Sequence, residues 1–155
     1  VRLRRLRALP CVPAVALLVA CTPMIGVEAG ADAANPDCAP VMLALPDVVA
    51  GDLEKTNTNA QATAAWGEPG AAVTLRCGVA LPGPSADCQR IDSVEGSVDW
   101  IVASADDGTW RFTTYGREPA VEVTVPPAVT ENHSTSFITD LTRAVEQVPA
   151  TAECT

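Results

Sequence analysis

The sequence predicts a small α+β domain: a mostly antiparallel sheet of four or five strands, flanked by short N-terminal helices and a C-terminal helix and stapled by disulfides. Three observations carry that prediction. Apolar and polar residues alternate with period two from Ser97 to Pro126, interrupted twice by turn residues. Phe137, Leu141, Val145 and Val148 recur at near-helical spacing until Pro149. Four cysteines, Cys38, Cys77, Cys88 and Cys154, follow an apolar leader, an even set of the kind that oxidises outside the cytoplasm.

The 155-residue chain has room for one domain, and its first twenty residues read as separate from it. Arg2, Arg4, Arg5 and Arg7 precede an apolar run from Ala8 to Ala20, the pattern of an export signal. Leu18-Val19-Ala20-Cys21 resembles the lipobox of bacterial lipoproteins, which makes Cys21 the expected lipidation site and the membrane a partner through the lipid anchor. Cleavage near Ala29-Gly30-Ala31, or an uncut anchor helix from Ala8 to Val27, are the alternatives. Pro10, Pro13 and Pro23 would interrupt such a helix at about 3 kcal/mol each in interior positions. Residues 21–37 are then a lipidated cysteine and a flexible tether, and residues 38–155 the domain.

From Cys38 the chain turns apolar, and Val41 to Leu45 fit a short helix that Pro46 ends. Asp47 caps a second short helix through Leu53, and the polar stretch from Lys55 to Thr63 is expected as an exposed loop. Ala65 to Gly70 is turn-rich. Val73, Leu75, Cys77 and Val79 then alternate with Thr74, Arg76 and Gly78 as a strand, and Ile91 to Glu95 form another. Val98, Trp100 and Val102 pair with Trp110, Phe112 and Thr114 across the Asp106-Asp107-Gly108 turn, where Gly and Asp allow a tight reversal. Val121, Val123 and Val125 make the next strand. Ser134, Thr135 or Ser136 caps the last helix, whose apolar stripe packs across the sheet.

Disulfide pairs Cys77–Cys88, across a Pro-Gly-Pro loop, and Cys38–Cys154, bracketing the domain, are expected. Beyond Cys21 there are six basic against nineteen acidic residues, a net charge of −13. That balance makes nucleic acid an unfavourable partner, and no cofactor or metal motif is visible.

Leu45-Pro46, Trp66-Gly67-x-Pro69, Leu75-Arg76-Cys77-Gly78-Val79, Val98-Asp99-Trp100 and Tyr115-Gly116-Arg117-Glu118-Pro119, in that order after Cys38, resemble the family known as domain of unknown function 3515. The resemblance covers nearly all of the chain from Cys38 to Leu141. It implies exported or membrane-attached proteins of an actinobacterial envelope, and it supplies no catalytic residue.

The sole histidine, His133, lies in a polar loop with Ser134 beside it and is expected to face solvent. Asp106-Asp107 reads as a turn before it reads as a cation site. A ligand surface would draw on Trp66 in its glycine-proline turn, outward-facing Arg76, and the Arg117-Glu118 turn. Arg76 also has a structural use, pairing with Glu122 or Asp99 across the sheet. The expectation is a non-catalytic binding or assembly module of the cell envelope, recognising an envelope protein or glycan. The alternative is a secreted enzyme or inhibitor acting on cell-wall material through His133 or Arg117-Glu118.

Overall fold

The computed structural model describes residues 23–155; the leader, with Cys11 and the expected lipidation site Cys21, lies outside them. The described residues hold nine strands: β1 (Met24–Ile25), β2 (Val48–Val49), β3 (Leu53–Thr58), β4 (Thr63–Glu68), β5 (Ala71–Val79), β6 (Cys88–Ser93), β7 (Gly96–Ser104), β8 (Trp110–Thr114) and β9 (Ala120–Val125). They join in the order β1-β3-β4-β5-β9-β8-β7-β6, with β2 also paired to β3. All pairings are antiparallel except β1 with β3. Helix α1 (Cys38–Ala44) lies between β1 and β2 in sequence; α2 (Pro127–Thr130), a 3-10 segment (Thr135–Leu141) and α3 (Thr142–Val145) follow the last strand.

Period two is realised as expected. Val73, Leu75 and Cys77, then Val98 and Trp100, Phe112, and Val121, Val123 and Val125 are all buried on the face that meets the helices. Trp100 meets Phe112 edge-to-face with centroids 6.2 Å apart. The expected stripe closes this core, with Phe137, Ile138, Leu141, Ala144, Val145 and Val148 buried. Ser134 caps it by accepting from Ser136 N. Its first half winds as 3-10 rather than α: the Thr139 hydroxyl donates to the Ser136 carbonyl, the kind of local bond that competes with regular helix geometry.

Four strands occupy stretches expected to be something else, which is why the sheet exceeds four or five. The expected tether packs instead. Ile25 pairs with Thr58 and is buried, Asp32 N donates to Gly78 O at 2.8 Å, and Gly30 lies so close to the Gly78 carbonyl that a Cβ would overlap it. An anchor helix continuing to Val27 is incompatible with β1. The second helix is replaced by the β2–β3 hairpin, because Ala50 and Gly51 take φ of 55° and 87° and turn the chain back, letting Lys55 N donate to Asp47 O. The expected loop from Lys55 to Thr63 is mostly strand and turn, held by threonine hydroxyls: Thr56 donates to Gly67 O and Thr63 to Thr58 Oγ1.

The disulfides are Cys38–Cys77 and Cys88–Cys154, not the expected Cys77–Cys88 and Cys38–Cys154. Cys77 on β5 and Cys88 on β6 are separated by β9, β8 and β7. Four steps of about 4.8 Å put them on the order of 19 Å apart along the sheet, far beyond the roughly 7 Å limit for Cα atoms of a bridge. Cys77 faces inward, where α1 presents Cys38. Cys88 pairs with Ile101 and so shares a face with Asp99, whose Oδ2 accepts from Cys154 N at 2.8 Å. The C-terminal strap thus passes from Val148 in the core, past Gly116, to the outer face of β6.

Strand direction sorts the turns. The start of β3, the β4–β5 turn, the β7–β8 turn and the end of β9 gather at one end of the sheet, here the entry end; β1 lies beside the last residues of β3, running parallel to it, so the chain arrives from the entry side. The β3–β4, β6–β7 and β8–β9 turns gather at the distal end.

Candidate functional site

A cleft of about 560 Å³ opens at the entry end, a size suited to a small ligand. The β2–β3 turn brings Asp52 to it. Pro126-Pro127 starts α2, and four residues later the chain leaves the helix, carrying Asn132 and His133 to the same place. Leu53, Pro69, Ala71 and Val129 give the cleft apolar walls, while Asp52, Glu54 and Glu68 make its polar rim acidic.

His133 is partly buried and held, where a free solvent-facing residue was expected. Its Nε2 lies 2.8 Å from Asp52 Oδ1, and its Nδ1 lies 3.2 Å from the Val129 carbonyl. Both partners are acceptors, so each ring nitrogen lies against an oxygen of the protein instead of standing free in the cleft. Ser134, its neighbour, accepts from Ser136 N as a helix cap, and Asp140 accepts from Ala50 N at 2.9 Å. Among the described residues no hydroxyl or thiol bonds to His133, and no group of three or more His, Cys, Asp or Glu is placed to hold a metal ion. Asp52 was missed because its partner is 81 positions away; the turn chemistry of Ala50-Gly51 was the one signal for it.

The residues expected to form a ligand surface are scattered. Trp66 is fully buried, its Nε1 donating to Pro46 O at 2.9 Å, so it belongs to the core and not to a recognition surface. Its β4 neighbours hold it there, whereas Gly67 and Pro69 had suggested a surface turn. Among the three tryptophans Trp110 is the exposed one. Arg76 lies on the opposite face, 2.9 Å from Glu122, which also receives Arg111 at 3.5 Å. Arg117, at the distal end, is 7 % exposed and therefore unavailable to a large ligand. Its guanidinium donates to the Val148 and Ser97 carbonyls. Burial pulls its pKa below the ordinary arginine value, and the charges of Glu146 and Asp99 oppose that. Glu118 alone faces solvent. At the β7–β8 turn Asp107 Oδ1 accepts from Thr109 N at 2.9 Å, and the Thr109 hydrogen bonds lower its pKa, as a turn residue requires.

Residues 9–153 match the family model described as "Protein of unknown function (DUF3515)". The chain belongs to the DUF3515 family. No curated protein and no solved structure matches it. In this DUF3515 chain the segments that carry the resemblance are fixings of the fold. Cys38 and Cys77 form a disulfide, Gly78 makes a β-bulge at φ 82° against Asp32, and Gly116-Arg117 receives the C-terminal strap through Thr151 N and Val148 O. The cleft residues Asp52 and His133 lie outside those segments.

Proposed function

We propose that this DUF3515 protein is an exported envelope lipoprotein, anchored through Cys21, that acts as a non-catalytic binding or assembly module through the entry-end cleft. The observation that supports the non-catalytic reading is His133, whose two ring nitrogens lie against Asp52 Oδ1 and the Val129 carbonyl, with no hydroxyl or thiol bonded to the ring among the described residues. Two disulfides in a small domain support an oxidising, extracytoplasmic location. Among the described residues no helix is long and apolar enough to cross a membrane. Cleavage near Ala29-Gly30-Ala31 would remove β1 and the buried Ile25, which favours processing at Cys21 over a later cut.

The cleft suits a ligand with an apolar body and a cationic group, since Asp52, Glu54 and Glu68 would repel anions. An envelope protein segment or an amine-bearing wall component meets that description. Fatty-acid labelling of wild type and Cys21→Ala tests the anchor: label on wild type only supports it, and label on neither rejects it. Turnover of cell-wall material by wild type that is lost in His133→Ala would replace the binding reading with a secreted enzyme.

A further inference from the structure

The course of the chain into the domain is a feature that the binding reading does not use. β1 is hydrogen-bonded along β3, Ile25 is buried, and Val27 N donates to Asn59 Oδ1 at 2.7 Å, so the direction from which the chain enters the domain is fixed. Pro23 itself lines the cleft. Two residue steps separate Cys21 from Pro23, and an extended chain covers at most about 7 Å in two steps. A lipid on Cys21 therefore has no tether of seventeen residues to swing on.

We propose that the entry end of the domain, cleft included, is the face apposed to the bilayer, with the cleft opening at the headgroup layer and its ligand met at the membrane surface. This rests on lipidation at Cys21. The strand directions place the β4–β5 turn (Glu68 to Gly70) and the β7–β8 turn (Asp106 to Gly108) on that face, and the β6–β7 turn (Val94, Glu95) on the far one. Trp110, 37 % exposed at the start of β8, is at the bilayer end, and tryptophan is a residue suited to the water–lipid boundary. Asp52, Glu54, Glu68, Asp106 and Asp107 at the same end oppose adhesion to anionic headgroups. The covalent anchor, not surface charge, holds the domain close, and the cleft stays open to a ligand instead of pressed shut.

The experiment uses the full lipidated protein in zwitterionic vesicles containing headgroup-nitroxide lipid, with a fluorophore on Glu68→Cys or on Glu95→Cys. Fatty-acid labelling is run in parallel. Quenching at position 68 several-fold stronger than at 95 is expected. A twenty-residue Gly/Ser insertion between Thr22 and Pro23, about 25 Å in r.m.s. length, should abolish the difference while the lipid remains. Equal quenching at both positions in labelled protein, or a difference that survives the insertion, overturns the apposition and leaves the lipoprotein reading standing. Absence of fatty-acid label brings down both.

Discussion

Replacing Arg117 by methionine removes a buried cation that ties three elements together. Its guanidinium joins the β8–β9 turn to the carbonyl of Val148, at the end of the C-terminal helical stripe, and to that of Ser97 on β7. Burial lowers its pKa, and the nearby charges of Glu146 and Asp99 oppose that. Hydrogen bonds from a charged donor contribute about 1.5–3 kcal/mol each, and Arg117→Met removes two of them. Asp99 would be left worse off, since its Oδ1 already has no partner among the described residues. A cost of about 3–5 kcal/mol is expected, a large share of a small domain's usual 5–15. Arg117→Lys keeps the charge but not the planar fork, and should cost about 1.5–3 kcal/mol. Urea titration followed by tryptophan fluorescence measures both, with an unchanged m-value showing that the native state is the same. A loss below 1 kcal/mol in Arg117→Met would refute the reading and return Arg117 to the list of residues free for a ligand.

Trp66→Ala should cost about 3–5 kcal/mol by denaturant titration, as a fully buried indole does, whereas a surface recognition residue would leave stability nearly unchanged. Gly78→Ala should cost about 2–3 kcal/mol and raise amide exchange at Asp32 and Ala33, because the residue sits at φ 82° and a Cβ would strike the Asp32 carbonyl. Under limiting reductant, alkylation and mass analysis should find Cys88 and Cys154 modified before Cys38 and Cys77, since the first pair is half-buried and the second is 2 % and 0 % exposed. The double variant Cys88→Ala/Cys154→Ala should lose about 4 kcal/mol on the chain-entropy model for a separation of 66 residues.

The sheet was legible wherever one face is apolar and the other polar. Val98 to Tyr115 and Val121 to Val125 announce themselves because each strand buries alternate side chains against the helices, and Phe137 to Val148 does the same at helical spacing. What stayed hidden is held by backbone and hydroxyl groups. Gly30 against Gly78 is a contact between two residues without side chains, and the Thr56, Thr58 and Thr63 bonds leave no hydrophobic period to read. Sequence spacing misled the disulfide pairing, because proximity along the chain says nothing about which sheet face a cysteine occupies. The cleft was half visible. His133 stood out as the sole histidine, but Asp52 reaches it only through the left-handed turn at Ala50-Gly51, and Trp66 was drawn away from the core by its glycine and proline neighbours.

The central claim is a domain that folds outside the cytoplasm around two cross-links, one on each face of one sheet. Peptide mapping without reduction, on protein taken from the envelope of its own cells, tests it most directly. Linked peptides containing Cys38 with Cys77 and Cys88 with Cys154 are predicted; four titratable thiols, or Cys77 joined to Cys88, would contradict the account.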